Sequence, residues 1–220
     1  MIKAVLFDLD NTLIDFMRMK KLASKAAAKA MVDAGLDADP SKLSKDLFDF
    51  YLEYGIESDD AFTKYLVKTT GIAEPRILAA GVNAYLKEKY LHLKPYPGVV
   101  ETLQKLKEKG VKLGLITDGL RLKAWMRLNA AGLDHLFNAV VTYEDTGKRK
   151  PAKEPFLLAC EELEVKPQEC LMIGDWPERD IEGAKKIGMK TCWAKYGSPV
   201  KECKSDFELN SIKQILEVVA

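Results

Sequence analysis

Five short stretches of this chain are apolar almost without interruption, and they constrain its fold more than any other feature. They fall at residues 4–7, 111–116, 139–142, 170–173 and 190–194. A strand with one face in water alternates apolar and polar residues, whereas a strand covered on both faces need not. Unbroken runs of this length therefore predict a parallel sheet sandwiched between helices. The intervening segments supply those helices. Pro97 and Gly98 open one whose Val99, Leu103 and Leu106 share a face, and Gly110 closes it. Others are expected over about 120–131, stopping at Gly132, over about 155–163, and from near Glu178 to Gly188. Strand–helix alternation of this kind predicts a doubly wound, Rossmann-like α/β fold.

One interval breaks the alternation. From about residue 15 to 92 the pattern is helical, interrupted at Gly35-Leu36-Asp37, Gly55-Ile56-Glu57 and Gly71-Ile72-Ala73. Ser41 and Ser58 are the expected N-caps of two of these helices. The rigid turn Pro95-Tyr96-Pro97-Gly98 returns the chain to α/β. The expected organisation is an α/β core from residues 1–14 and 93–220, with an inserted helical domain from 15–92. Lys20, Lys21, Lys25 and Lys29 form a basic stripe on the first inserted helix. It reads as a solvated face, the sharper reading being that some of these lysines draw in an anionic ligand.

Composition excludes several function classes. With 34 basic and 33 acidic residues the formal net charge is +1, so nothing predicts a nucleic-acid or anionic-membrane surface. No stretch is long enough to span a bilayer, and the apolar run after Met1 is too short for a signal peptide. Cys160, Cys170, Cys192 and Cys203 contain no C-x-x-C pair and lie in or beside apolar segments, as buried free thiols do. A cytoplasmic protein is expected.

In open parallel sheets, ligands bind at the carboxyl ends of the strands. After the first run come Asp8-Leu9-Asp10-Asn11-Thr12, and after the second Thr117-Asp118-Gly119. Beyond the third lie Gly147-Lys148-Arg149-Lys150-Pro151, and after the fourth Gly174-Asp175-Trp176-Pro177-Glu178-Arg179-Asp180. Carboxylates gathered at one edge repel one another, and burial raises that cost. A hard cation relieves it, and oxygen donors without histidine or cysteine favour magnesium over zinc. A cation, a lysine and backbone N–H groups together suit a phosphoryl group, whose transfer spreads charge over oxygens that need fixed positive partners.

The order Asp8-x-Asp10-x-Thr12, Thr117-Asp118, Lys150-Pro151 and Gly174-Asp175…Asp180 resembles the four motifs of the haloacid dehalogenase superfamily. The helical insert after the first motif is similar to that superfamily's type 1 cap. The resemblance implies a magnesium-dependent phosphatase. Asp8 would be the nucleophile that becomes an aspartyl phosphate, and Asp10 the general acid and then base. Thr117, Asp118 and Gly119 would hold the phosphate together with Lys150, which also neutralises Asp8. Asp8, Asp10, Asp175 and Asp180 would hold the metal or its waters. Dehalogenases of the superfamily lack the second aspartate, so Asp10 argues against dehalogenation. Relatives often show Lys-Pro-x-Pro where this chain has Lys150-Pro151-Ala152-Lys153-Glu154-Pro155, which leaves the local turn open. Relatives with such a cap act on glyceraldehyde 3-phosphate or phosphoglycolate, which implies a small phosphorylated metabolite as the partner of a monomer or homodimer. A phosphotransferase like β-phosphoglucomutase shares all four motifs. A phosphonate hydrolase with a cap lysine and a binding protein that has lost the chemistry are further alternatives.

Overall fold

A computed structural model describes residues 1–219, which form two compact units. One is Met1–Asp15 with the chain from Lys94 onward, and the other is Phe16–Leu93. Along the chain, β1 (Ala4–Phe7) precedes helices α1 (Phe16–Asp33), α2 (Pro40–Tyr54), α3 (Ala61–Thr70) and α4 (Pro75–His92). Then follow α5 (Val99–Glu108), β2 (Lys112–Ile116), α6 (Arg121–Ala130), β3 (Ala139–Val141), α7 (Tyr143–Thr146) and α8 (Lys153–Glu162). The chain continues through β4 (Cys170–Gly174), α9 (Glu182–Lys185), β5 (Lys190–Ala194), β6 (Phe207–Leu209) and α10 (Ile215–Val218).

The strands make one parallel sheet in the order β3-β2-β1-β4-β5-β6. Central β1 runs in register with β2, from Ala4 beside Lys112 to Phe7 beside Leu115, and with β4, from Ala4 beside Cys170 to Phe7 beside Ile173. All four β1 residues are fully buried, which is why the run carries no polar alternation. On one sheet face Leu6, Ile116 and Met172 pack against Phe156, Ala159 and Leu163 of α8 and its end. Each large side chain removed from water in this way contributes about 1.5–3 kcal/mol. Strand order reverses between β1 and β4, so the crevice where such sheets take ligands lies beyond Phe7 and Gly174.

The α/β, Rossmann-like class holds, with local differences. Strand β6 is additional to the five apolar runs. It is a three-residue edge strand whose central Glu208 is exposed, so it never reads as a continuous apolar run. Helix α7 is also additional, started by a capping box between Thr142 and Asp145. The helix expected from Glu178 to Gly188 is instead a wide π turn, Pro177–Ile181, that leads into the short α9. Cys160, Cys170 and Cys192 are buried, whereas Cys203 is only half-buried.

In the helical unit, the expected caps Ser41 and Ser58 are corrected. Asp39 caps α2 by accepting from the Lys42 N–H at 2.7 Å, because Pro40, with no N–H of its own, takes the first helical position. Asp60 precedes α3, and the Ser58 hydroxyl bonds only to Asp60, donating to its carboxylate at 2.6 Å and accepting from its N–H at 3.3 Å, so it caps no helical N–H of α3. Ala23, Ala27 and Ala28 of α1 join Met31, Leu43, Leu47, Tyr51, Phe62, Leu66 and Tyr85 in a second apolar core. Gly81 lets α4 lie against α1, since a Cβ there would sit 2.2 Å from the Met31 methyl. The solvated-stripe reading fails at Lys20. That side chain is buried, its Nζ donates to the Tyr85 hydroxyl at 2.7 Å, and it lies 3.5 Å from the centre of the Tyr51 ring. An ammonium on an aromatic face keeps electrostatic compensation that a bare apolar site would deny it. Among the described residues, no helix is long and apolar enough to cross a membrane.

Candidate active site

The loop after β1 turns within a few residues. Leu13 and Ile14 both donate to the Leu9 carbonyl, and Asn11 donates to Ile14 at 2.7 Å. Asn11 takes φ +62°, a left-handed conformation that asparagine tolerates better than most residues. The segment after β5 packs on this loop. The Tyr196 hydroxyl donates to the Thr12 carbonyl at 2.7 Å, and a Cβ on Gly197 would fall 1.6 Å from the Asn11 carbonyl oxygen, so that position has no room for a side chain.

Asp8 leaves the end of β1 into a group of buried charges. Lys150 Nζ donates to Asp8 Oδ1 at 2.5 Å, to Asp180 Oδ1 at 2.7 Å and to the Ile116 carbonyl at 3.0 Å. All three donors of the ammonium are thereby used. Asp180 Oδ2 accepts from the Trp176 N–H at 3.0 Å, an arrangement that the π turn makes by folding back toward β4. Asp175 Oδ1 accepts from the Thr12 hydroxyl at 3.3 Å, while Asp175 Oδ2 is buried with no hydrogen-bond partner.

One carboxylate oxygen from each of Asp8, Asp175 and Asp180 lies within 4.8 Å of the others. Two like charges at that distance repel by about 3 kcal/mol at an effective dielectric of about 20. Burial pushes the Asp8 carboxyl well above the usual range, with Lys150 pulling the other way and Asp180 and Asp175 adding to the rise. Burial and then Asp180 push Asp175 up to about 7. Burial also opposes the charge on Lys150, but Asp180, Asp8 and Asp118 outweigh it and hold the ammonium above its ordinary pKa. Three carboxylates and one ammonium leave two negative charges when all are ionised. A divalent cation balances that charge, and the unsatisfied Asp175 Oδ2 supplies a free oxygen ligand, so these residues fit a hard metal ion.

The second and third motifs are joined through Asp118. Its Oδ1 accepts from the Lys150 backbone N–H at 2.8 Å, and its Oδ2 lies 3.8 Å from Arg179. The Asp118 carboxylate thus fixes the Lys150 segment. Thr117 is buried, and its hydroxyl accepts from the Gly119 N–H at 3.2 Å. The Lys150–Pro151 peptide is cis. Trp176 is partly exposed, with the Arg179 guanidinium 4.5 Å from the centre of its ring.

Asp10 stands slightly apart. Its Oδ2 accepts from Arg127 Nη1 at 2.6 Å, and the Arg127 side chain is 5% exposed. Sequence reasoning did not find Arg127. Its one available signal was its place beside Ala124 and Leu128, which the fold buries on the same side of α6.

A family model described as haloacid dehalogenase-like hydrolase matches residues 5–194. The chain belongs to that family. A glyceraldehyde 3-phosphate phosphatase from Methanopyrus kandleri is 39% identical over an alignment covering 100% of this chain and 97% of its own. One from Methanocaldococcus jannaschii is 37% identical with the same coverage. A HAD phosphatase from Thermococcus onnurineus superposes with a TM-score of 0.72 at 24% identity, covering 100% of this chain and 98% of that one, a likeness of fold.

Proposed function

We propose that this protein is a magnesium-dependent phosphatase that hydrolyses a small phosphate monoester through a phosphorylated Asp8. Glyceraldehyde 3-phosphate is the first candidate substrate and phosphoglycolate the second. The observation that carries the reading is the buried group of Asp8, Lys150, Asp180 and Asp175 at the carboxyl ends of β1 and β4, which when fully ionised holds two surplus negative charges. Support for the substrate comes from relatives that match this chain end to end and bear that activity in their names.

Asp8 and Asp175 would hold the cation directly, with the Asp10 backbone and Asp180 completing its surroundings. When bound, the cation supplies positive charge opposite the phosphoryl oxygens. Asp8 attacks phosphorus as the bond to the leaving oxygen breaks, and Asp10 gives that oxygen a proton. Water then attacks the aspartyl phosphate, Asp10 takes its proton, and phosphate departs with Asp8 restored. Splitting one displacement into two lowers each barrier. Lys150 favours the ionised form of Asp8 and aims it. Thr117, with the Asp118 and Gly119 backbone, supplies hydrogen bonds to the phosphoryl group. In this reading residues 15–92 act as the cap that selects the substrate. We place the protein in the cytoplasm, where its cysteines remain thiols, as a monomer or homodimer.

The test is phosphate release from a panel of phosphorylated metabolites, with magnesium or EDTA, beside Asp8→Asn. Release is expected only with magnesium, is lost in Asp8→Asn, and is fastest for a three-carbon phosphate. Release that survives Asp8→Asn would overturn the aspartyl-phosphate route.

A further inference from the structure

Arg127 lies on the buried side of α6, and its guanidinium meets the carboxylate of Asp10 in the loop after β1. The side-chain exposures are 5% and 23%, so this is no solvent-screened surface pair. Burying a permanently charged guanidinium is costly unless a carboxylate receives it, and removing either partner strands the other. The contact also joins two segments of the site. Helix α6 follows Thr117-Asp118-Gly119, while Asp10 follows β1. The planar guanidinium fixes direction as well as charge, which a lysine would not do.

We propose that Arg127 is the positioning residue for proton transfer by Asp10, an inference that rests on the acid–base role assigned to Asp10 above. A guanidinium donates and never accepts. Arg127 therefore holds Oδ2 as an acceptor whether Asp10 is ionised or protonated, and the travelling proton is kept on Oδ1. In the first half-reaction the Oδ1–H bond breaks as the leaving oxygen takes the proton and its bond to phosphorus is lost. In the second, Oδ1 takes a proton from water as the water oxygen bonds to phosphorus and the bond from phosphorus to the Asp8 oxygen breaks. Oδ2 stays on Arg127 throughout.

The discriminating measurement is leaving-group dependence. An alkyl phosphate needs a proton on its departing oxygen, whereas the anion of 2,4-dinitrophenol leaves without one. Values of kcat/KM, which report steps through phosphorylation of Asp8, are compared for glycerol phosphate and 2,4-dinitrophenyl phosphate. The variants are Asp10→Asn, Arg127→Met, Arg127→Lys and the Asp10→Asn/Arg127→Met pair. Asp10→Asn is expected to slow the alkyl ester by about 10²–10⁴-fold and the aryl ester far less. Arg127→Met should slow the alkyl ester by roughly 10²-fold, the cost of a misplaced catalytic group, and leave the aryl ester nearly unchanged. Arg127→Lys should recover part of that loss. In the Asp10→Asn background, Arg127→Met should add little.

Equal losses on both esters in Arg127→Met, or fully additive losses in the double variant, would overturn the proposal and leave Arg127 a structural residue. If Asp10→Asn slows both esters equally, the acid–base role itself fails, and the Arg127 inference with it. Should Arg127→Met not fold, judged by its thermal transition, Arg127→Lys carries the same comparison.

Discussion

Asp175 is a buried carboxylate whose protonation the fold shifts toward neutral pH. Burial, and then Asp180, push its pKa up to about 7 against the pull of Lys150. The folded, metal-free chain therefore keeps a proton that the unfolded chain has released by pH ~4. Between about pH 4 and 7 the folded state binds more protons, so the metal-free protein loses stability as pH rises, by on the order of 4 kcal/mol across the interval. Asp8, also raised by burial, acts in the same direction. Asp145 and Asp206 are held low by their hydrogen-bond partners, so their contributions vanish only below about pH 4 and leave this window unmasked. A cation requires the ionised form, so stabilisation by magnesium should grow over the same range. Urea unfolding at pH 5 and 7.5, in EDTA and in magnesium, reads both effects. A metal-free protein that gains stability from pH 5 to 7.5, or an equal magnesium increment at both, would contradict the buried-carboxylate account.

At the scale of elements, the five apolar strands were legible, while the edge strand β6 and one helix face were not. Runs such as Ala4–Phe7 are apolar throughout because they are covered throughout, and the motif residues follow from reading off their carboxyl ends. The surroundings of Asp10 were hidden because α6 inverts its own pattern. Leu122, Trp125 and Met126 have the spacing of a buried stripe, yet they are exposed, while Arg127 is buried against a carboxylate distant in sequence. Helical periodicity reports apolar burial and is blind to a charge buried by pairing. Lys20 escaped for the same reason, its hydroxyl and aromatic partners lying on α4 and α2. The end of β4 depends on a different local property. A Cβ at Gly174 would sit 2.1 Å from Asp180 Oδ2, so only glycine lets the π turn fold back and put Asp180 on Lys150. Gly174→Ala should cost about 1–3 kcal/mol as the turn is pushed out. It should also weaken magnesium binding, measured by titration calorimetry, because Asp180 moves off the cluster. Unchanged affinity would show that Asp180 is not needed around the cation.

For the molecule as a whole, the decisive fact is where the helical unit leaves and rejoins the sheet unit. Ile14 and Pro95 form an antiparallel bridge, and the Tyr96 N–H donates to the Leu13 carbonyl at 2.9 Å. Both contacts belong to the sheet unit, so the two chain ends that flank Phe16–Leu93 are already side by side. Replacing the insert with a short flexible linker then closes a small loop, whose entropic cost rises only slowly with length. The helical unit has an apolar core of its own, centred on Met31, Leu47, Tyr51 and Tyr85, and the sheet unit has another around Leu6, Phe156 and Met172. A chain with residues 17–92 replaced by a Gly-Ser linker should therefore fold and still be stabilised by magnesium, because Asp8, Lys150, Asp175 and Asp180 all lie outside the deletion. Under the cap reading it should hydrolyse a small aryl phosphate and lose its preference among metabolites. Thermal melting with and without magnesium tests the first expectation, and the substrate panel tests the second. A deleted chain that folds and keeps the full-length ranking of metabolites would move specificity from the helical unit to the loops of the sheet.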